Sequence, residues 1–110
     1  MPELPEVQTV VDTLRPEVVN KKIQAVKVIE EKLIARPSLV EFKEILTDNQ
    51  IIDVSRRGKY IIIELADGHF LVTHLRMTGR FVSTTSSEGI GDYDYILFQF
   101  SDGAELRLGS

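Results

Sequence analysis

The sequence predicts a β-rich α+β domain, with two antiparallel sheets packed as a sandwich or flattened barrel and two helices at its margins. A helical pattern opens the chain, one strand-like segment and a second helical pattern follow it, and strand-like segments then run almost to the end of the chain. Asp67-Gly68 and Asp102-Gly103 each separate two such segments and are typical of tight antiparallel hairpins. With 110 residues, 43% of them hydrophobic, the chain is long enough for one domain with its own core.

Both predicted helices show apolar residues at helical spacing. The first has them at Val7, Val10, Val11 and Leu14. Pro5 is tolerated in its first turn, and Pro16 is predicted to limit its end. Pro37 then breaks the chain, and Ser38 with Glu41 forms the capping-box pattern that opens the second helix. The apolar face of that helix comprises Leu39, Phe42, Ile45 and Leu46.

Segments rich in β-branched and aromatic residues predict six strands. Their bounds are Lys22–Ile29, Ile51–Ser55, Lys59–Leu65, Phe70–Leu75, Tyr93–Phe100 and Ala104–Leu108. The stretch Ser83–Gly91, rich in Ser, Thr and Gly, is predicted to be a mobile surface loop. Four aromatic residues follow the strand period and are predicted to lie in the core rather than to form a stacking platform: Tyr60, Phe70, Phe98 and Phe100.

The charge of the chain is unevenly distributed. In total, 17 acidic and 13 basic residues give a net charge of -4, which argues against nucleic acid as a partner. Between Ser55 and Arg80, however, five basic residues face two acidic ones, Glu64 and Asp67. This local excess predicts a basic face on an otherwise acidic domain.

The absence of cysteine excludes disulfides and Cys-ligated metal sites and favours a reducing, cytoplasmic compartment. His69 and His74 lie five residues apart in a strand region, a spacing that does not suggest a metal site. We expect neither a metal nor a cofactor in this chain. The apolar runs are short, so no membrane span or signal peptide is predicted.

The amino terminus carries the most unusual chemistry. Removal of Met1 would leave Pro2 as a terminal secondary amine, which adds to an aldehyde-like carbon to form a cationic iminium. The adjacent Glu3 could then transfer protons. The alternative is that Met-Pro is an ordinary start and that Glu3 and Glu6 only complement the dipole of the helix. The residues alone leave both interpretations open.

Four motifs occur in the order of a known family: Pro2–Val7, Arg56–Tyr60, His74–Arg80 and Asp102–Arg107. Together they resemble formamidopyrimidine-DNA glycosylase, also called MutM. Leu4 and the His-Leu-Arg-Met-Thr-Gly stretch resemble this family more than its endonuclease-VIII relatives. The resemblance implies the fold of the family's N-terminal domain and a role in base-excision DNA repair.

The resemblance implies that Pro2, freed of Met1, attacks the sugar C1′ of a damaged purine nucleotide such as 8-oxoguanine or a formamidopyrimidine. The base is expelled, a Schiff base forms, and β,δ-elimination cleaves the strand. Glu3 is implied as the proton-transfer partner, and Glu6 as a support of the damage pocket. If Met1 is retained, the Pro2 nitrogen is an amide and this chemistry is impossible.

The resemblance also implies damaged double-stranded DNA as the partner. Lys59 and His74 match positions that bind phosphates beside the lesion, and Arg57 and Arg76 are expected to assist them. Met77 matches the intercalating methionine, which fills the space of the extruded nucleotide. Arg56 and Arg80 are expected to be solvated surface charges.

Residues 1–110 are expected to be a single domain, the N-terminal catalytic domain of such a glycosylase. The family's helix-two-turn-helix and zinc-finger modules have no counterpart here, so a structural zinc is expected only in the missing part. Because half of a clamp positions DNA poorly, this chain alone is expected to be weakly active or inactive. Two alternatives remain, namely nonspecific DNA binding and self-association through unpaired strand edges or a surface exposed by truncation.

Overall fold

The computed structural model describes residues 4–110. Two α-helices and seven strands occur in this range, together with a short 3-10 helix at Glu31–Leu33. The helices are α1 (Leu4–Val18) and α2 (Leu39–Leu46). The strands are β1 (Ile23–Val28), β2 (Ile51–Arg57), β3 (Tyr60–Leu65), β4 (Phe70–His74), β5 (Arg80–Thr85), β6 (Asp94–Phe100) and β7 (Ala104–Gly109).

The strands form two antiparallel sheets, which confirms the predicted two-sheet architecture. One sheet has four strands in the order β1-β6-β7-β5, and the other has three in the order β2-β3-β4. The Asp67-Gly68 turn joins β3 to β4 and the Asp102-Gly103 turn joins β6 to β7, and both pairs are antiparallel as predicted. No helix in the described range is long and apolar enough to cross a membrane.

The core contains side chains from both sheets and both helices. Helix α1 contributes Val7, Val11, Leu14 and Val18, all buried. Ile61 and Ile63 of β3 and Leu106 of β7 are also buried in this cluster. Each such side chain contributes about 1.5–3 kcal/mol relative to an exposed position, so α1 is held mainly by its apolar stripe.

Helix α1 continues beyond Pro16, so the prediction that Pro16 limits it is wrong. A proline this close to the end of a helix removes one backbone hydrogen bond and leaves the preceding turns intact. The next residues still bond helically, since the Val19 N–H donates to the Arg15 carbonyl at 3.1 Å. The chain turns away at Asn20, whose φ of 71° is left-handed.

Helix α2 begins as its capping pattern predicts. The Glu41 backbone N–H donates to the Ser38 hydroxyl at 3.3 Å. Phe42 and Leu46 are buried, and Leu39 and Ile45 are half-buried. The predicted apolar face is therefore the face that packs on the domain.

The prediction of a loop at Ser83–Gly91 is wrong for its first three residues, because Ser83, Thr84 and Thr85 belong to β5 and are paired with β7. The register places Phe81 opposite Leu108 and Thr85 opposite Ala104. The Ser-Thr-Thr run resembles a loop because it is polar, but threonine favours extended backbone, and an antiparallel sheet can leave one of its faces to solvent. The loop proper begins at Ser86.

Residues of this loop are fastened to the outer side of the four-stranded sheet by Arg107. Its guanidinium donates to the carbonyls of Glu88 at 2.7 Å and Gly89 at 2.8 Å. The same group contacts the carboxylates of Glu105 at 3.1 Å and Asp94 at 3.2 Å. Arg107 is 5% exposed and Glu105 1% exposed, so this is a buried and fully bonded charge network.

Two of the four aromatic residues predicted to be in the core are exposed. Phe98 and Phe100 are buried, whereas Tyr60 is 50% and Phe70 59% exposed. The inward positions of β3 are Ile61, Ile63 and Leu65, so Tyr60 points to the other face. The apolar run Ile61–Ile63 hides this alternation in the sequence, because both faces of β3 are apolar there.

Candidate nucleic-acid interface

One end of the three-stranded sheet collects most of the predicted DNA-binding residues. Arg57 pairs with Tyr60 across the β2–β3 turn, and Tyr60 pairs with His74 on β4. Gly58 forms the turn with a φ of 59°, a conformation that favours glycine, and Lys59 follows it. The β2–β3 hairpin and the neighbouring strand β4 therefore bring Arg57, Lys59 and His74 to the same edge of the domain.

Helix α1 begins at this same end. The Arg56 side chain donates to the Gln8 side-chain oxygen at 2.8 Å. Seven residues later in the helix, Arg15 donates to the Val54 carbonyl at 2.7 Å, so α1 runs antiparallel to β2. Arg56, expected to be a solvated charge, thus ties the first half of the helix to the basic hairpin.

The predicted catalytic residues Pro2 and Glu3 lie outside the described residues. Helix α1 starts at Leu4, and Glu6 is exposed in its first turn. An acidic residue in that position complements the positive end of the helix dipole, as the alternative interpretation of the amino terminus requires. Its exposure also leaves Glu6 free to face a ligand, so the position is compatible with both interpretations.

The ring of His74 is oriented by two neighbours. Its Nδ1 accepts a hydrogen bond from the Arg76 backbone N–H at 3.1 Å. The Tyr60 ring packs edge-on against it, with centroids 4.9 Å apart. Because Nδ1 is the acceptor, the neutral ring carries its proton on Nε2, where it can donate to a phosphate oxygen.

Met77 lies at the tip of a tight turn between β4 and β5. Its side chain is 82% exposed, which excludes a role in the core. Leu75 anchors the turn in the core, and the Gly79 N–H closes it on the Leu75 carbonyl at 2.8 Å. Arg76 has a φ of 61°, so it occupies the left-handed region and the backbone reverses at once. The turn therefore projects a flexible apolar side chain into solvent.

Gly79 is the position at which this turn is most sensitive. A Cβ atom there would lie 2.2 Å from the Leu75 carbonyl oxygen. Gly79→Ala is therefore expected to force the backbone apart and to lower the free energy of unfolding by about 1–3 kcal/mol, measured by urea denaturation. Gly89→Ala is the control, because no atom lies within 4 Å of a Cβ at that position. Equal stability of the two variants would contradict the close packing of the turn.

The basic and acidic side chains of the three-stranded sheet and its turns lie at opposite ends of the strands. None of the ion pairs found among residues 4–110 involves Arg57, Lys59 or Arg76. The acidic residues of the segment lie at the opposite end, with Asp67 in the β3–β4 turn. A hydrogen bond from the Asn49 side chain, together with bonds from His69, lowers the pKa of Asp67 to about 2. The three-stranded sheet therefore has a basic end, at the β2–β3 turn, and an acidic end, at the β3–β4 turn.

This arrangement suits a phosphate backbone. Cationic and N–H groups on a rigid strand end bind phosphates and fix register without reading base sequence. Within residues 4–110, no group of three or more His, Asp or Glu side chains is placed to hold a metal ion. The sequence did not indicate that Gln8 accepts a hydrogen bond from Arg56 or that Tyr60 packs against His74, because each partner is distant in the chain.

The family model for the formamidopyrimidine-DNA glycosylase N-terminal domain matches residues 1–109. The formamidopyrimidine-DNA glycosylase of Pelotomaculum thermopropionicum is 44% identical over 108 residues, which cover 98% of this chain and 39% of the relative. That of Mycoplasma pneumoniae is 40% identical over 109 residues, with 97% and 39% covered. The chain therefore spans about two fifths of the length of these relatives.

Solved structures agree with the sequence relatives. Lactococcus lactis Fpg, non-covalently bound to DNA containing an AP site, superposes with a TM-score of 0.93 at 31% identity, covering 99% of this chain and 41% of that one. The same enzyme with DNA containing N7-benzyl-Fapy-dG gives a TM-score of 0.94 at 32% identity, covering 99% and 40%. Since the match extends over nearly every residue, this chain belongs to the formamidopyrimidine-DNA glycosylase N-terminal domain family.

Proposed function

We propose that this chain is the nucleophile-bearing, DNA-facing part of a DNA glycosylase and AP lyase that removes oxidised purines in base-excision repair. The observation that carries the proposal is the basic end of the β2-β3-β4 sheet. There Lys59, His74 and the exposed Met77 converge beside the start of α1. Two observations support the proposal. The relatives are named formamidopyrimidine-DNA glycosylase, and the Lactococcus lactis relative has been solved with DNA containing an AP site and with DNA containing Fapy-dG.

The proposed reaction begins at the Pro2 nitrogen once Met1 has been removed. A bond forms from that nitrogen to the sugar C1′ as the bond from C1′ to the damaged base breaks, and the base leaves with a proton. The sugar ring then opens as the C1′–O4′ bond breaks: O4′ takes a proton, and the nitrogen, having lost its own proton, forms the C1′=N bond of the iminium. The iminium acidifies the adjacent carbon, so elimination of the 3′ and then the 5′ phosphate cleaves the strand. Glu3 transfers the protons in this scheme.

The neighbouring residues position the DNA. Lys59 and the His74 Nε2–H bind phosphates on either side of the lesion, with Arg57 and Arg76 assisting. Met77 enters the space that the extruded nucleotide vacates and offsets an unstacking cost of a few kcal/mol. Glu6, in the first turn of α1, supports the pocket for the damaged base.

The proposed partner is damaged double-stranded DNA, and the proposed compartment is the bacterial cytoplasm, as the absence of cysteine favours. We propose that the chain alone is weakly active or inactive. It represents 39% of its relative's length, and catalysis depends on positioning the sugar as well as on the nucleophile.

Salt dependence tests the proposed interface. If Arg57, Lys59 and Arg76 each neutralise one phosphate, the logarithm of the association constant for duplex DNA should fall with the logarithm of salt concentration with a slope of about -3. Lys59→Ala should reduce the magnitude of that slope by about 1, measured by fluorescence anisotropy.

Lys32→Ala provides the matched control, because Lys32 is also exposed but lies on the 3-10 helix. It should leave both slope and affinity unchanged. Binding that is indifferent to salt, or equal losses in the Lys32 and Lys59 variants, would show that the hairpin is not the DNA-binding surface.

A further inference from the structure

Met77 is the most exposed large apolar side chain among residues 4–110. It is 82% exposed, whereas the next in order, Val40 and Tyr93, are each 65% exposed. The turn that carries Met77 is fixed at both ends, because Leu75 is buried and the Gly79 N–H bonds to the Leu75 carbonyl. The thioether is therefore open to solvent while the backbone around it is held in place.

Sulfur is scarce in this chain. The 110 residues contain no cysteine and two methionines, Met1 and Met77. Met77 is therefore the only sulfur-bearing residue in the part of the chain that the structure describes. Thiols and thioethers are the side chains that peroxides oxidise most easily, and their susceptibility follows their exposure. The composition and the turn together direct peroxide chemistry in the described range to this one atom.

We propose that Met77 is a reversible oxidation site, at which hydrogen peroxide converts the thioether to a sulfoxide and thereby weakens binding to DNA that lacks a base. The sulfur lone pair forms a bond to one peroxide oxygen while the O–O bond breaks. The proton of the transferred oxygen passes to the departing hydroxide, which leaves as water. The sulfur loses two electrons and the peroxide gains them.

The consequence for DNA rests on the proposed function of Met77 as an apolar wedge. A sulfoxide is polar, so it must give up bound water to enter the base stack, which is unfavourable where no hydrogen-bond donor replaces that water. The proposed phosphate contacts of Lys59 and His74 do not involve the thioether. Oxidation should therefore weaken binding at an abasic site and spare binding to intact duplex DNA.

The fold should not change on oxidation. A sulfoxide in a core disrupts packing, but Met77 lies outside the core cluster. The contacts that build the turn are made by Leu75 and Gly79. The circular dichroism spectrum and the urea midpoint of the oxidised chain should therefore match those of the unoxidised chain, and loss of the fold on oxidation would overturn the inference.

The first test measures the rate of oxidation and does not involve DNA. Peptide mass spectrometry follows the gain of one oxygen atom at Met77 in hydrogen peroxide, for the folded chain and for the chain unfolded in urea. The two rates should agree within about fivefold, because folding leaves the thioether exposed. Oxidation of Met77 that is slowed by more than this in the folded chain would overturn the inference and leave the proposed function untouched.

The second test measures DNA binding by fluorescence anisotropy, with a duplex that contains one abasic site and with the intact duplex. Oxidation should weaken binding to the abasic duplex at least about fivefold and change binding to the intact duplex by less than about twofold. Methionine sulfoxide reductases that act on both sulfoxide epimers should restore the first affinity. Met77→Leu has no thioether, so peroxide treatment should not change its affinity for either duplex.

Met77→Gln distinguishes failure of the inference from failure of the proposed function. Glutamine is polar and similar in length to methionine, so this variant should bind the abasic duplex as weakly as the sulfoxide does, without peroxide. If Met77→Gln loses affinity and the sulfoxide does not, the inference fails and the wedge role stands. If neither loses affinity, the wedge role fails as well. A peroxide effect that persists in Met77→Leu, or equal losses on the two duplexes, would place the damage elsewhere and overturn the inference.

Discussion

Borohydride is expected to trap little or no covalent adduct between the isolated chain and a duplex containing 8-oxoguanine. Joining residues 1–110 to the part of the Pelotomaculum thermopropionicum relative that this chain does not cover should give trapping, because that part would complete the DNA clamp. In that chimera, Pro2→Gly should lower the trapped fraction at least about tenfold, since an imine of a primary amine must be protonated before it acts as an electron sink. Denaturing gel electrophoresis of the reduced complexes measures each fraction.

The mass of the purified chimera decides whether the nucleophile exists. Loss of Met1 frees the Pro2 amine, whereas its retention leaves an amide that cannot form an iminium. Lys32→Ala should trap as well as the unsubstituted chimera, because Lys32 lies on the 3-10 helix and not on the three-stranded sheet that carries the proposed DNA-binding residues. Efficient trapping by the isolated chain, lost on Pro2→Gly, would refute its proposed inactivity. Trapping by a chimera that retains Met1 would refute the role of Pro2.

Local sequence signals predicted most of the fold. The Asp67-Gly68 turn specifies that β3 and β4 are antiparallel neighbours, and counting outward from it brings Tyr60 opposite His74. The capping pattern at Ser38 correctly marks the start of α2. These features depend on residues close together in the chain, where turn chemistry and spacing act directly.

Features that depend on distant contacts were not predictable in the same way. Strand β5 is polar and is stabilised by pairing with β7, which lies some twenty residues later. Tyr60 is on the solvent side of β3, although Ile61–Ile63 is apolar on both faces. The contact between Gln8 and Arg56 joins residues 48 positions apart. Periodicity identifies which residues share a face, but only the packing of the other elements decides which face is buried.

The candidate site shows the same division. The Asp67-Gly68 signal predicted that the strands beginning at Lys59 and ending near His74 are neighbours, and in the structure Tyr60, next to Lys59, lies opposite His74. Exposure of Met77 follows from the glycine-closed turn that carries it. The functions assigned to these residues stay predictions. The orientation of the His74 ring by Tyr60 and by the Arg76 backbone could be recognised only in the folded chain.

Arg107→Met is expected to lower the free energy of unfolding by about 3–5 kcal/mol, because removal of one member of a buried charge network leaves the other uncompensated. Glu105, at 1% exposure, would lose its cation, and the Glu88 and Gly89 carbonyls would lose their donor. Arg107→Lys keeps the charge but not the planar fork, so an intermediate loss is expected. Urea denaturation followed by circular dichroism measures each value.

A double-substitution cycle separates the buried charge from the packing around it. If the uncompensated Glu105 carboxylate causes most of the loss, Glu105→Gln combined with Arg107→Met should be more stable than Arg107→Met alone. Arg80→Met is the control, since Arg80 is exposed on β5 and should change stability by less than about 0.5 kcal/mol. A loss in Arg107→Met no larger than that in Arg80→Met would show that the network does not stabilise the fold. A larger loss in Arg107→Met would show that Arg107 couples the β5–β6 loop to the four-stranded sheet, because its guanidinium donates both to the Gly89 carbonyl of the loop and to the Glu105 carboxylate of β7.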